Sequence, residues 1–153
     1  MRSKSILSNL FSSTGLERSQ SIQDSLEWIK SFDDSVVIPE CGSAGLDYAE
    51  YLKELVDESL PKFMCHYYNH YFAHTAGGRM IGKKIGNSLF DGEVLDFYQW
   101  EGDVKEYLEK TREKIDGMAK GWSEEEKQLC KEETSSTFRY GGSLMTYLRE
   151  PQR

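Results

Sequence analysis

Cysteine is scarce in this chain of 153 residues: Cys41, Cys65 and Cys130 are odd in number, widely spaced and form no C-x-x-C pair. That pattern excludes a disulfide framework and a cysteine-built zinc site, and it suits a reducing compartment. Proline is equally rare, at Pro39, Pro61 and Pro151, so long helices can run between these points without interruption. No apolar run approaches the ~20 residues that a bilayer span requires. Basic charge is in deficit, with 19 Lys and Arg against 26 Asp and Glu for a net charge of −7. The chain therefore lacks the overall basic footprint with which a general nucleic-acid binder displaces phosphate counterions. Internal repeats and low-complexity tracts are absent as well.

What is present suits a soluble, acidic, single-domain protein. Hydrophobic residues make up 38% of the chain and aromatics 12%, enough to bury roughly 70% of the surface that the unfolded chain of this length exposes. The pattern is helical throughout. A first helix is expected from about Leu16 to Phe32, with Ile22, Leu26, Ile29 and Phe32 as its apolar positions. A linker from Asp33 to Asp47 holds a short Val-Val-Ile-Pro run that reads as an extended crossing segment. Tyr48, Tyr51, Leu52, Leu55 and Val56 then fall at i, i+3, i+4, i+7 and i+8. Pro61 sits where a first helical residue would be, and a long helix should run from it to about Phe90, closed by an Asp91-Gly92 turn. Val94 to Trp100 is a short aromatic run of ambiguous period. A further helix is expected from about Asp103 to near Gly121, and Ser123 with Glu126 forms a capping box for a last helix towards Leu148, bent at Gly141-Gly142. The expected fold class is all-α, a helical bundle without a significant sheet.

The first fifteen residues stand apart. They contain Arg2, Lys4 and five serines, and no acid precedes Glu17. The bias is that of an organelle transit peptide or of the frayed remnant of a helix, and the residues leave both readings open. The expected organisation is a poorly defined segment over 1–15 and a helical domain over 16–150.

The informative stretch is Pro61–Phe90, which contains no Asp or Glu yet carries Lys62, Arg79, Lys83 and Lys84. It holds a charge of +4, leaving −11 of the total −7 to the rest of the chain. All three histidines, His66, His70 and His74, lie in it at successive i+4 steps, followed by Gly77, Gly78, Gly82 and Gly86. Each glycine inside a helix costs about 0.8–1 kcal/mol relative to alanine, so a compensating use is expected. For Gly82 and Gly86, close packing through small residues is one such use. For Gly77-Gly78 the preferred use is a kink that lets a flat ligand approach the backbone, with His74 one turn earlier presenting a polar ring to it. Arg79, Lys83 and Lys84 make the neighbourhood attractive to an anion. Together these features point to a planar anionic ligand.

Other chemistries fit less well. The i, i+4 histidines could converge on zinc, but no carboxylate lies near them and H-E-x-x-H is absent. Gly-Gly-Arg-Met-Ile-Gly is not G-x-G-x-x-G and follows a helix rather than a strand. His70 reads as an ordinary hydrogen-bonded histidine, and Tyr67, Tyr68, Tyr71 and Phe72 read as core. Glu124–Glu126 suits a helix N-terminus favoured by the macrodipole.

The stretch His66-Tyr-Tyr-Asn-His-Tyr-Phe-Ala-His-Thr-Ala-Gly-Gly-Arg-Met-Ile-Gly82 resembles the distal helix of plant-type haem oxygenases. Thr14-Gly-Leu-Glu-Arg18, Asp24-Ser-Leu-Glu-Trp28, Tyr51-Leu-Lys-Glu-Leu55, Val94-Leu-Asp-Phe-Tyr98, Arg112-Glu-Lys114 and Glu132-Glu-Thr134 with Phe138 follow the same family in order. The likeness covers about nine-tenths of the chain. It implies an all-α fold that holds haem between a proximal helix with the axial histidine and a kinked, glycine-containing distal helix. It further implies oxidative opening of haem to biliverdin, carbon monoxide and iron, with electrons from ferredoxin, in a plastid, where biliverdin feeds the phytochrome chromophore.

Carried over by position, Gly77 and Gly78 would be the distal glycines that lie on the haem face. His74 would occupy the place where animal relatives have an aspartate ordering the distal water network and plant-type members have histidine. Tyr68 and Arg112 are candidates for the haem propionates, and Phe138 for packing on the macrocycle. Arg79 and Lys83 would aid haem or ferredoxin docking. The family's axial histidine lies upstream of Gly15-Leu-Glu-Arg18; about fifteen residues precede that motif here and none is histidine. The resemblance is therefore to an N-terminally shortened member, with no proximal metal ligand matched. The alternative is a non-catalytic tetrapyrrole-binding or regulatory relative that lacks the axial-histidine helix, and a zinc-binding helical protein ranks well behind both.

Overall fold

Local rules account for most of the helix starts and stops. The computed structural model describes residues 2–148 and is 76% helical, with no strand among the described residues. The helices are α1 (Arg2–Phe11), α2 (Ser19–Phe32), α3 (Ser43–Glu58), α4 (Leu60–Ala73), α5 (Arg79–Leu89), α6 (Val104–Ala119), α7 (Glu124–Glu132) and α8 (Thr134–Leu144). A π-helical turn, His74–Gly78, joins α4 to α5, and 310 turns occupy Asp96–Tyr98 and Met145–Leu148. The all-α expectation holds.

The capping box forms as read: the Ser123 hydroxyl accepts from the Glu126 amide at 3.1 Å, and the Glu126 carboxylate accepts from the Ser123 amide at 2.8 Å. Asp103 caps α6 by accepting from the Lys105 amide at 2.9 Å. Asp91 and Gly92 both take positive φ, +52° and +94°, and end α5. Pro61 is the second residue of α4, still within the first turn, where no amide is needed.

Three expectations need correction. The first predicted helix starts at Ser19, not Leu16, because Thr14–Arg18 folds into a tight local knot. There Gly15 has φ +81°, and the Glu17 carboxylate accepts from the Thr14 amide and hydroxyl and from the Gly15 amide at 2.6, 3.0 and 2.9 Å. A Cβ at Gly15 would stand 2.8 Å from the Tyr107 ring, so only glycine fits. The apolar stripe of α2 is not its buried face: Ile22, Leu26 and Phe32 stay substantially exposed while Ser25 is buried. The Ser25 hydroxyl donates to the Ser21 carbonyl at 2.7 Å and accepts from the Phe97 amide at 3.0 Å, which draws that side of the helix inward. The last helix breaks at Glu133 rather than at Gly141-Gly142, which both remain helical. The Glu133 side chain turns into the interior at the break.

Among the described residues the chain forms two compact units, one of residues 2–10, 40–69 and 115–148, the other of residues 11–39 and 70–114. In the first, α3 packs on α8 through Tyr48 and Tyr51, whose rings stack on Tyr140 with centroids 4.7 Å apart in each case. Tyr48, Leu55, Met64, Cys65 and His66 are its buried centre. In the second, Leu16, Thr75, Val104 and Thr111 are buried, and Trp28, Phe32 and Phe90 form an aromatic trio.

Candidate functional site

The glycines of the His74–Phe90 stretch have three different uses. A Cβ at Gly82 would strike the Tyr98 side chain, and one at Gly86 would strike the Glu93 carbonyl oxygen. Both therefore let the 93–98 segment lie directly on α5, which is the close-packing use. Gly78 is buried beneath the His74 ring, and a Cβ there would stand 2.5 Å from Nδ1 of His74. Gly77 alone of the four has nothing within 4 Å of that position. The adjacent glycines lead to an expectation of one bare surface; of the two, the structure leaves Gly77 open and uses Gly78 to seat the histidine.

The backbone there is not a simple kink. His74–Gly78 is a single π-helical turn inserted in an otherwise continuous helix, a device that widens the helix locally and disturbs the regular amide ladder. Glycine at two of its five positions removes the side chains that would crowd a widened turn.

His74 is held on several sides. Its ring stacks on Phe97 with centroids 4.2 Å apart, and Trp100 and Tyr98 lie at 5.0 and 5.7 Å. Nε2 is 2.8 Å from the Phe97 carbonyl oxygen. A carbonyl only accepts, so Nε2 carries the proton and Nδ1 is the acceptor in the neutral ring. Burial holds the His74 pKa below the usual histidine value; the Phe97 bond opposes this and the nearby Arg18 charge reinforces it. His74 is thus a neutral imidazole at neutral pH, of fixed tautomer and orientation.

Arg18 completes the surroundings. Its guanidinium lies 4.6 Å over the Trp100 ring and donates to the Glu17, Asp96 and Gln99 carbonyls. Arg79 approaches the same ring at 5.6 Å. Arg18, His70, Tyr71, His74 and Phe97 line a cavity of about 320 Å³. Burial raises the Tyr71 pKa, so this phenol stays protonated. Arg18, Phe97 and Trp100 were not singled out from the sequence, although Arg18 closes the Gly-Leu-Glu-Arg motif and the two aromatics end the run of ambiguous period.

The other expected site residues are more dispersed. Arg79 and Lys83 are exposed on α5. Arg112, on α6, pairs with Glu109 at 2.6 Å and lies 5.2 Å over the Phe72 ring. These belong to the second unit with His74, Gly77 and Gly78. Tyr68 and Phe138 belong to the first unit and are exposed, Phe138 at 72%. Tyr67, Tyr71 and Phe72, expected as core, are half-buried, and Tyr68 is more open still.

The histidines do not form one constellation. His66 is 1% exposed in the first unit, with Nδ1 2.6 Å from the Tyr48 hydroxyl and Nε2 3.0 Å from Glu133 Oε1. Both ring nitrogens are taken, and no group of three metal-ligating side chains occurs among the described residues. Glu133 also accepts from the Tyr51 hydroxyl at 2.5 Å and pairs with Lys62 at 3.6 Å. Burial alone would raise its pKa, but the Tyr51 and His66 bonds and the Lys62 charge outweigh that and hold it low. Burial and the same carboxylate push Tyr51 up to about 12.

Comparison with known proteins agrees with this architecture. The sequence profile of the family described as "Heme oxygenase" matches residues 1–146. "Heme oxygenase 1, chloroplastic" of Oryza sativa subsp. japonica is 44% identical over 90% of this chain and 47% of its own length. The protein of the same name in Arabidopsis thaliana is 44% identical over 88% of this chain and 47% of its own length. The Arabidopsis thaliana protein named "Probable inactive heme oxygenase 2, chloroplastic" is 41% identical over 88% of this chain and 44% of its own length. The chain spans about half the length of these curated relatives. It belongs to the heme oxygenase family.

Proposed function

We propose that this chain provides the distal wall of a haem site and serves a haem oxygenase reaction that opens haem to biliverdin, carbon monoxide and iron. Ferredoxin would supply the electrons, a plastid would be the setting, and the product would feed phytochrome chromophore synthesis. The observation that carries the reading is Gly77: half-buried backbone in a π-helical turn, with open space where any other residue would place a Cβ. A flat macrocycle can approach that backbone to van der Waals contact, and an alanine would fill the gap.

Haem, when bound, is both the substrate and the group that activates oxygen. The chain's own residues bind, orient and exclude water. His74 holds its proton on Nε2 against the Phe97 carbonyl and keeps Nδ1 as an acceptor for a water or hydroxyl at the turn. Phe97 and Trp100 surround the ring and limit solvent around it. The Arg112–Glu109 pair is exposed at the surface, where such pairs contribute at most about 1 kcal/mol, so the guanidinium is available to a propionate. Arg79 and Lys83, on the exposed side of α5, suit an acidic electron-transfer partner.

A second reading has support of its own, because two relatives at 41–42% identity carry the name "Probable inactive heme oxygenase 2". On it the chain binds a tetrapyrrole without turning it over. Titrating the full chain with haemin and then adding ferredoxin, ferredoxin reductase and oxygen separates the two. A saturable haem spectrum followed by biliverdin is the expected outcome. Saturable binding without product selects the non-catalytic reading, and no binding overturns both. His74→Ala should disturb product formation more than haem uptake; equal loss of both would contradict the role given to His74.

A further inference from the structure

The Phe97 carbonyl that holds His74 belongs to a short turn, and the turn is itself held from α2. Within the 310 turn Asp96–Tyr98 the Tyr98 amide donates to the Leu95 carbonyl and the Gln99 amide to the Asp96 carbonyl, each at 3.0 Å. Phe97 sends both of its backbone groups elsewhere. Its carbonyl accepts from His74 Nε2 at 2.8 Å, and its amide donates to the Ser25 hydroxyl at 3.0 Å. Ser25 is buried on α2 and gives its own proton to the Ser21 carbonyl at 2.7 Å. Its oxygen therefore meets the Phe97 amide as an acceptor only. Arg18, which immediately precedes α2, donates to the Asp96 and Gln99 carbonyls on either side of Phe97. All of these residues lie in the second unit.

We propose that Ser25 and Arg18 are positioning residues that act through Phe97 to fix which nitrogen of His74 carries the proton. The tautomer of a histidine follows from the hydrogen bonds that its nitrogens make. The Phe97 carbonyl keeps the proton on Nε2 only while it stays in line, because such bonds weaken steeply when misaligned. A three-residue 310 turn has poor internal bonding geometry and does not hold such a position unaided. Ser25 and Arg18 supply the missing anchors, one at the Phe97 amide and one across the flanking carbonyls. A buried polar set whose members are all satisfied locks one arrangement. This gives a use to the polar, inward side of α2, whose Ile22, Leu26 and Phe32 face outward. With the anchors in place Nδ1 is always an acceptor. Without them part of the population would carry the proton on Nδ1 and offer a donor there instead.

The inference rests on the distal role proposed for His74, but its test needs no haem, so the two can fail separately. The full chain is labelled with 15N, and the ring-nitrogen shifts of His74 and the solvent exchange of its Nε2 proton are read at neutral pH. The unsubstituted chain should show a protonated Nε2 and a bare Nδ1. Ser25→Ala keeps a good helix former and removes the acceptor. Arg18→Lys keeps the charge but loses the planar fork that spans several carbonyls. Each should draw the two nitrogen shifts towards one another and speed the proton exchange about fivefold, the usual net weight of one hydrogen bond. Ser31→Ala is the control, since it removes a hydroxyl bond to the Trp28 carbonyl at 2.8 Å on the exposed side of α2. It should leave the His74 signals in place. Reduced stability of Ser25→Ala or Arg18→Lys with unchanged His74 signals would mean a purely structural role and overturn the proposal. An equal change of those signals in Ser31→Ala would overturn it as well.

Discussion

His66 and His74 stand two helical steps apart on one continuous run, yet their surroundings differ in kind. His66 is sealed: both nitrogens are bonded, and the carboxylate it meets also serves Tyr51 and Lys62. Among the described residues His74 is bonded through one nitrogen only, stacked among aromatics beside a turn whose backbone is partly open. A histidine with both nitrogens engaged holds a fold in register, whereas one with an acceptor left over can serve a ligand. The spacing of the two residues is the same series; what separates them is the partner supply from other elements.

Glu133→Ala should have the largest effect. It removes the common acceptor and leaves His66, Tyr51 and Lys62 around a buried gap, so urea unfolding should lose about 3–5 kcal/mol. Glu133→Gln should lose less. The pH dependence follows from the depressed carboxylate: its stabilising contribution is complete above the unfolded value near 4.5 and is lost as pH falls through the lower folded value. Acid unfolding of the unsubstituted chain should therefore steepen below about pH 4.5, and Glu133→Gln should flatten it.

The glycines give the next effects, of opposite sign. Gly86→Ala drives a methyl into the Glu93 carbonyl and should cost about 1–3 kcal/mol in the same unfolding measurement. Gly77→Ala meets nothing and should leave stability unchanged or raise it by up to about 1 kcal/mol. Equal losses from both would break the distinction between packed and open glycines.

The smallest effect concerns His74. Its folded pKa is depressed, so the neutral ring favours the fold above about pH 6.5, and that contribution declines as pH falls towards the folded value. NMR titration of the ring should show protonation below pH 6.5, and a value above it would contradict the dominance of burial over the Phe97 bond.

What could be read from the sequence was mostly local. The Ser123–Glu126 box, the Asp91-Gly92 stop and the helical run from Pro61 to Phe90 follow from a few neighbouring residues, and the structure keeps them all. The stripe on α2 misled because burial there is decided by the Phe97 amide, 72 residues away from Ser25 in sequence. The π-helical turn has no short-range signature beyond its glycines, and the division of labour between Gly77 and Gly78 depends on where the His74 ring comes to rest. Glu133 lies in the Glu132-Glu-Thr134 motif, but its inward turn depends on Tyr51 and His66.

The most direct test is a haemin titration of Gly77→Leu beside the unsubstituted chain, with unfolding measured on both. A side chain in the open space should weaken haem binding by about tenfold or more, with little change in stability. Unchanged affinity in a folded variant would contradict the claim that a macrocycle rests on this backbone.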